Sequence, residues 1–225
     1  TEVLASNQDK EIKKAVKLPK QAKDSSNRIN EIKDYDDVRI ITYSAVGKTG
    51  LKHKPDVIEI ALSGNLDEKI NFIKEHLNKE IKISEIFSKM QLVDVHAVTK
   101  GKGYQGAVKR FGIGLRSHKA EKGRRRPGSL GPWHPARVTF RTPESGQLGF
   151  FTRVAYNNKI LDFGNINEKN VNPSSGFKHF GNIKTDYIVL RGSVHGVTKR
   201  PVIITHPLRK TKYQEKKNFD LIELR

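Results

Sequence analysis

Three short runs hold residue types that chemistry uses. Gly101-Lys102-Gly103-Tyr104-Gln105-Gly106-Ala107-Val108 has the glycine spacing of a dinucleotide fingerprint and of a kinase glycine loop, where bare backbone can approach phosphate oxygens. Asp162-Phe163-Gly164 matches the kinase triplet whose aspartate holds magnesium. Arg124-Arg125-Arg126, followed by Pro127-Gly128, offers guanidinium groups that bridge phosphate oxygens and stack on bases. The first two runs lack the rest of their machinery. A kinase also needs a His-Arg-Asp loop, an Asn after it and a Val-Ala-Ile-Lys strand, and the chain contains none of these. A dinucleotide site needs a helix after the glycines and an acid about twenty residues on. Here Gly112, Gly114 and a string of cations follow, and Glu121 sits in a lysine-rich stretch. The glycines are better explained by tight turning or close backbone approach, and Asp162-Phe163-Gly164 by a strand end and turn. The eight histidines form no His-x-x-x-His set, no serine lies in Gly-x-Ser-x-Gly, and there is no cysteine. No catalytic residue, metal ligand, cofactor or small-molecule substrate is therefore assigned. A nucleotide-dependent enzyme on Gly101–Gly106 stands as an alternative.

The arginine triplet keeps its force because of its surroundings. Lys100 to Arg141 contains twelve Lys and Arg, one acid (Glu121), eight glycines, three of the nine prolines and the single tryptophan, Trp133. Such a segment has little with which to build a core, and its glycines, aromatics (Tyr104, Phe111, Trp133) and cations suit packing among RNA strands. His134, between Trp133 and Pro135, can stack on a base or lock a turn. The charge of the whole chain follows the same bias. Residues 1–93 carry 17 basic and 15 acidic groups, whereas residues 94–225 carry 26 and 9, giving almost all of the net +19. This asymmetry points to nucleic acid. A membrane partner is not supported, since no apolar run approaches about 18 residues. A free-standing DNA-binding protein is a further alternative, although a flexible arm lacks the recognition helix that major-groove readout uses. The absence of cysteine fits a reducing compartment.

The elements that must carry the arm are mainly strands. Residues 1–37 read as a charged surface helix and linker, and a start without Met inside a helical pattern leads us to expect a preceding segment. Strands are expected at Val38–Val46 and Asp56–Leu62. Asn65 caps a helix with one buried face at Leu66, Ile70, Ile73 and Leu77, and Ser84 opens a second helical segment with Ile86, Phe87 and Met90. Further strands are expected at Leu92–Val98, Arg137–Arg141, Leu148–Tyr156, Lys159–Phe163 after a turn at Asn157-Asn158, Tyr187–Leu190 and Arg200–Thr205. Arg209–Lys217 is either a second RNA-facing patch or a solvated tail. The pattern predicts a mainly β chain with an α insert: an antiparallel barrel or sandwich interrupted by helices at about 56–90 and by the arm.

Val98-Thr-Lys-Gly-Lys-Gly-Tyr-Gln-Gly106, Val108-Lys-Arg-Phe-Gly112 and Gly131-Pro-Trp-His-Pro-Ala-Arg-Val138 closely resemble the large-subunit ribosomal protein L-three family in its archaeal and eukaryotic form. Gln147-Leu-Gly149, Thr152-Arg153 and Lys159–Gly164 fit the same pattern in family order. The resemblance spans about Val38 to Thr205, with only a loose match before it, where the family has a further basic N-terminal segment. It implies a translation-protein-type β-barrel over 38–106 and 137–225, with an extended basic finger over 107–136 that penetrates rRNA toward the peptidyl transferase centre. Trp133 would be the fingertip aromatic, with Arg124, Arg125, Arg126 and Arg137 beside it and Lys100, Lys102, Lys109 and Arg110 nearer the barrel. Arg116, Lys119, Lys122, His134, Arg141 and Arg153 complete the expected RNA-contact set. The implied role is structural and assembly-promoting, with large-subunit rRNA and neighbouring large-subunit proteins as partners on cytoplasmic ribosomes.

Overall fold

The computed structural model describes residues 2–5, 9–19, 29, 35–119, 122–220 and 222. It divides into two compact units, one from Thr1–Gln91, Lys159–Arg191 and Lys212–Arg225, the other from Leu92–Asn158 and Gly192–Thr211. The fold is mainly β with few helices. Its sheets are antiparallel, and among the described residues none closes into a barrel.

In the first unit, α1 (Ile12–Ala15) is a single turn, and most of the linker expected before residue 37 lies outside the described residues. β1 (Arg39–Tyr43) and β2 (Val57–Ala61) pair from Arg39↔Ala61 to Tyr43↔Val57. The strand expected through Val46 stops early because Val46 is buried at the start of α2 (Val46–Thr49), which Gly50 closes at φ 70°. Tyr43 donates to the Asp9 carboxylate at 2.9 Å; burial first, then this bond, push the phenol up to about 12. α3 (Leu66–His76) begins where the sequence predicts, with the Asn65 N–H donating to the Glu68 carboxylate at 3.1 Å. Its apolar face is only half-buried, however, and no residue of the helix is fully buried. α4 (Ile83–Ile86) ends four residues before Met90, because Phe87 is extended and Met90 takes φ 64°.

β6 (Thr152–Asn165) passes straight through the expected Asn157-Asn158 turn. Asn157 instead takes φ 56° inside the strand. From Lys159 onward the strand belongs to the first unit, where it pairs with β7 (Asp186–Leu190) from Asn165↔Asp186 to Ile160↔Leu190, with a register shift between Ile160 and Asp162. Asp162-Phe163-Gly164 is therefore strand interior, and the turn expected there is absent. Asp162 is buried and paired to Lys89 at 2.7 Å and Lys169 at 3.2 Å; chiefly the Lys89 bond holds its carboxyl below the usual range. Lys159 is also buried, and its ammonium donates to the carbonyls of Gln214, Glu215 and Lys217, capping the end of α6 (Lys212–Lys216). The Arg209–Lys217 stretch is thus partly a docked helix.

The second unit is organised on β3 (Leu92–Val98), whose Val93 and Val95 are wholly buried. Asp94 points to the other face and is buried too. Its carboxylate accepts the backbone N–H of Asn157 at 2.8 Å and of Leu208 at 2.9 Å, so burial leaves neither oxygen unpaired. β8 (Ile203–Thr205) pairs with one edge of β3, from Asp94↔Thr205 to His96↔Ile203, and the first half of β6 lies along the other. The run expected from Arg200 is shortened to three residues; Pro201, which has no N–H to give, stays outside the strand.

Candidate nucleic-acid interface

The base of the basic arm is fixed by a two-residue ladder. β4 (Tyr104–Gln105) pairs with β5 (Gly146–Gln147), and Gly103 reaches it at φ 67°. The strand expected over Leu148–Tyr156 is broken here by Gly149 at φ 76° and Phe150 at φ 58°. A Cβ on Gly149 would lie 2.0 Å from the Lys100 carbonyl oxygen, so only glycine lets the two limbs approach this closely. Hydrogen bonds from Lys102 N–H to Leu148 O, Leu148 N–H to Gly103 O and Thr99 N–H to Phe151 O, each 2.9 Å, tie the limbs together.

Beyond the ladder, α5 (Ala107–Phe111) is anchored by buried Ala107 and ends at Gly112 in the left-handed conformation, φ 70°. At five residues it is no dinucleotide-binding helix. Arg110 turns back to the base, donating from Nε to Gln147 O and from Nη1 to Glu144 O, both at 3.0 Å. The described chain from 112 to 145 contains no helix or strand. The strand expected at Arg137–Arg141 is absent; its alternating residues find no partner strand, and Phe140 is 94% exposed. The arm nevertheless has internal bonds. Arg116 N–H donates to Arg124 O and Arg124 Nε to Arg116 O, both at 3.1 Å, while Arg116 Nη2 reaches Pro127 O at 2.9 Å. Farther out, Ala136 N–H closes a turn onto Trp133 O at 2.7 Å, and Thr142 Oγ1 donates to Leu130 O at 3.0 Å.

The predicted contact residues fall into two groups. Arg110, Arg116 and Arg124 spend guanidinium donors on carbonyls and so brace the arm. Lys100, Lys102, Lys109, Lys119, Lys122, Arg125, Arg126, His134, Arg137, Arg141 and Arg153 are exposed, and Trp133 is 86% exposed. The electrostatics of the two units differ sharply. Among the described residues no ion pair uses a cation between Lys100 and Arg153. Glu144 is the only described acid from Lys100 to Arg153, and it offers Arg110 its carbonyl.

At the root of the arm lies an open cleft of about 590 Å³ whose walls include Lys100, Lys102, Arg110 and Arg153. Phe111, Phe151 and His195 also line it; Phe111 belongs to the arm aromatics expected to pack among RNA strands, whereas nothing in the sequence marks Phe151 or His195 as part of the site. Their segments are far apart in the chain, so no local motif could reveal them. Among the described residues no group of His, Cys, Asp and Glu is placed to hold a metal, and no helix is long and apolar enough to cross a membrane.

Comparison with known proteins finds that residues 4–225 match the family described as Ribosomal protein L3, a wider span than the motifs quoted above. The large ribosomal subunit protein uL3 of Methanocaldococcus jannaschii is 41% identical over 215 residues, covering 93% of this chain and 64% of that protein. The uL3 of Pyrobaculum calidifontis is 41% identical over 94% of this chain and 64% of its own length, and that of Methanobrevibacter smithii 39% over 93% and 65%. The chain thus spans just under two thirds of these relatives.

Proposed function

The chain belongs to the ribosomal protein L3 family, and from that premise we propose that it is a structural constituent of the large ribosomal subunit that binds large-subunit rRNA. The domain over 38–106 and 137–225 sits on the subunit as a translation-protein-type barrel, and residues 107–136 extend from it as a finger into rRNA. Trp133 and the exposed cations around it support rRNA geometry near the peptidyl transferase centre and promote assembly, beside neighbouring large-subunit proteins on cytoplasmic ribosomes. It acts without catalysing a reaction. The observation that best supports this reading is that the arm cations form no ion pair among the described residues, since charges that no neighbouring acid neutralises favour a polyanion.

Filter binding of the chain to large-subunit rRNA across about 50 to 300 mM salt tests the reading. Some six phosphate contacts predict a log-log slope of about −4 on single-stranded segments. A flat response, or failure of the chain to sediment with large subunits at low salt, would remove it.

A further inference from the structure

Resting on the rRNA-binding reading above, we infer that the cleft at the root of the arm holds one nucleotide extruded from an RNA helix. Its phosphate lies among Lys100, Lys102 and Arg153, and its base lies against the ring of Phe111. The cleft lies at the arm's root, near the β4–β5 ladder and away from Trp133, and its chemistry differs from that of the arm's exposed cations. It has room: about 590 Å³ is within the roughly 300–1,000 Å³ of pockets that take small organic groups. It also has apolar walls. Phe111 is 47% exposed with the Arg110 guanidinium 5.0 Å from its ring centre, and Arg153 sits 5.3 Å from that of Phe151. Cation and aromatic ring together form the pairing on which an unstacked base binds, whereas a base inside a helix has no free face to offer. No Asp or Glu lines the space.

The site is also held in shape before any ligand arrives. Arg110 is pinned by two carbonyls, Phe151 N–H donates to Thr99 Oγ1 at 3.1 Å, and Gly149 packs on the Lys100 backbone. A ligand therefore does not have to order its own receptor. The exposed cations of the arm track a backbone of any sequence; the cleft would select one position where the RNA is bulged or splayed.

The test compares two fluorescent RNA hairpins of equal length by anisotropy, one fully paired and one with a single adenosine bulge. The full chain should bind the bulged hairpin about tenfold more tightly, the effect of stacking one base. Phe111→Leu, checked for folding by circular dichroism, should erase that preference and leave affinity for the paired hairpin unchanged. Arg153→Ala should weaken the bulged complex more than the paired one. Equal affinities, or a preference that survives Phe111→Leu, would overturn the assignment while leaving rRNA binding in place. Displacement of the bulged hairpin by micromolar adenosine monophosphate would overturn it in favour of a free nucleotide. Binding to neither hairpin would remove the rRNA-binding reading itself.

Discussion

Asp162 sits between the ammonium groups of Lys89 and Lys169 inside β6, and its two charge-assisted contacts make part of the first unit's stability depend on this carboxylate staying ionised. The folded protein ionises this carboxyl at a lower pH than the unfolded chain does, because the Lys89 bond favours the charged form. Its contribution is fully present above the unfolded value of about 4 and is lost as pH falls through the lower, folded value. Asp162→Asn should cost about 1–3 kcal/mol at neutral pH and flatten the acid limb of stability, measured by urea titration from pH 7 to pH 3. Trp133 is the opposite case. At 86% exposure it contributes little to the fold, so Trp133→Ala should leave the melting temperature within error and change chemical reactivity of rRNA around the bound tip. Unaltered footprints with normal incorporation into subunits would strip the tip of its role.

At the scale of elements, β3 and the start of α3 are legible in local sequence. Val93, Val95 and Ala97 alternate into the core of β3, and Asn65 starts α3, because side-chain period and cap chemistry reside in neighbouring residues. Asn157-Asn158 misled because two asparagines usually mark a turn, whereas Asn157 is held inside β6 by Asp94, 63 residues away. Arg137–Arg141 misled in the converse way: an alternating run becomes a strand only if another strand accepts its hydrogen bonds. Among the contact residues, the charge and exposure of the arm were legible, but the bracing by Arg116 and Arg124 was not. Removing that brace is a separable perturbation. Arg116→Ala with Arg124→Ala should increase tryptic cleavage between residues 112 and 145 under native conditions while the circular dichroism spectrum stays the same. Gly149→Ala should do the reverse, destabilising the second unit by about 2 kcal/mol or more, read from its unfolding midpoint, because the new Cβ meets backbone that cannot yield.

For the whole molecule, the division of charge follows a division of labour. The ion pairs of Asp37, Glu59, Asp162 and their lysine and arginine partners lie in the first unit, where acids nearly match bases in number, whereas the second unit is strongly basic. The cost is self-repulsion, so polyanions such as short RNA should raise the melting temperature of the free chain, and the rise should shrink as salt increases. The buried Asp94 carboxylate adds a kinetic consequence. It is complete only when residues 63 and 114 positions later have both arrived, non-local contacts of the kind that slow folding. The entire basic arm is the loop closed by the first of those contacts. Closure entropy grows only with the logarithm of loop length, so even doubling the arm would cost about 0.6 kcal/mol. Changing its reach therefore costs little stability, whereas losing the carboxylate would leave the Asn157 and Leu208 N–H groups without their partner.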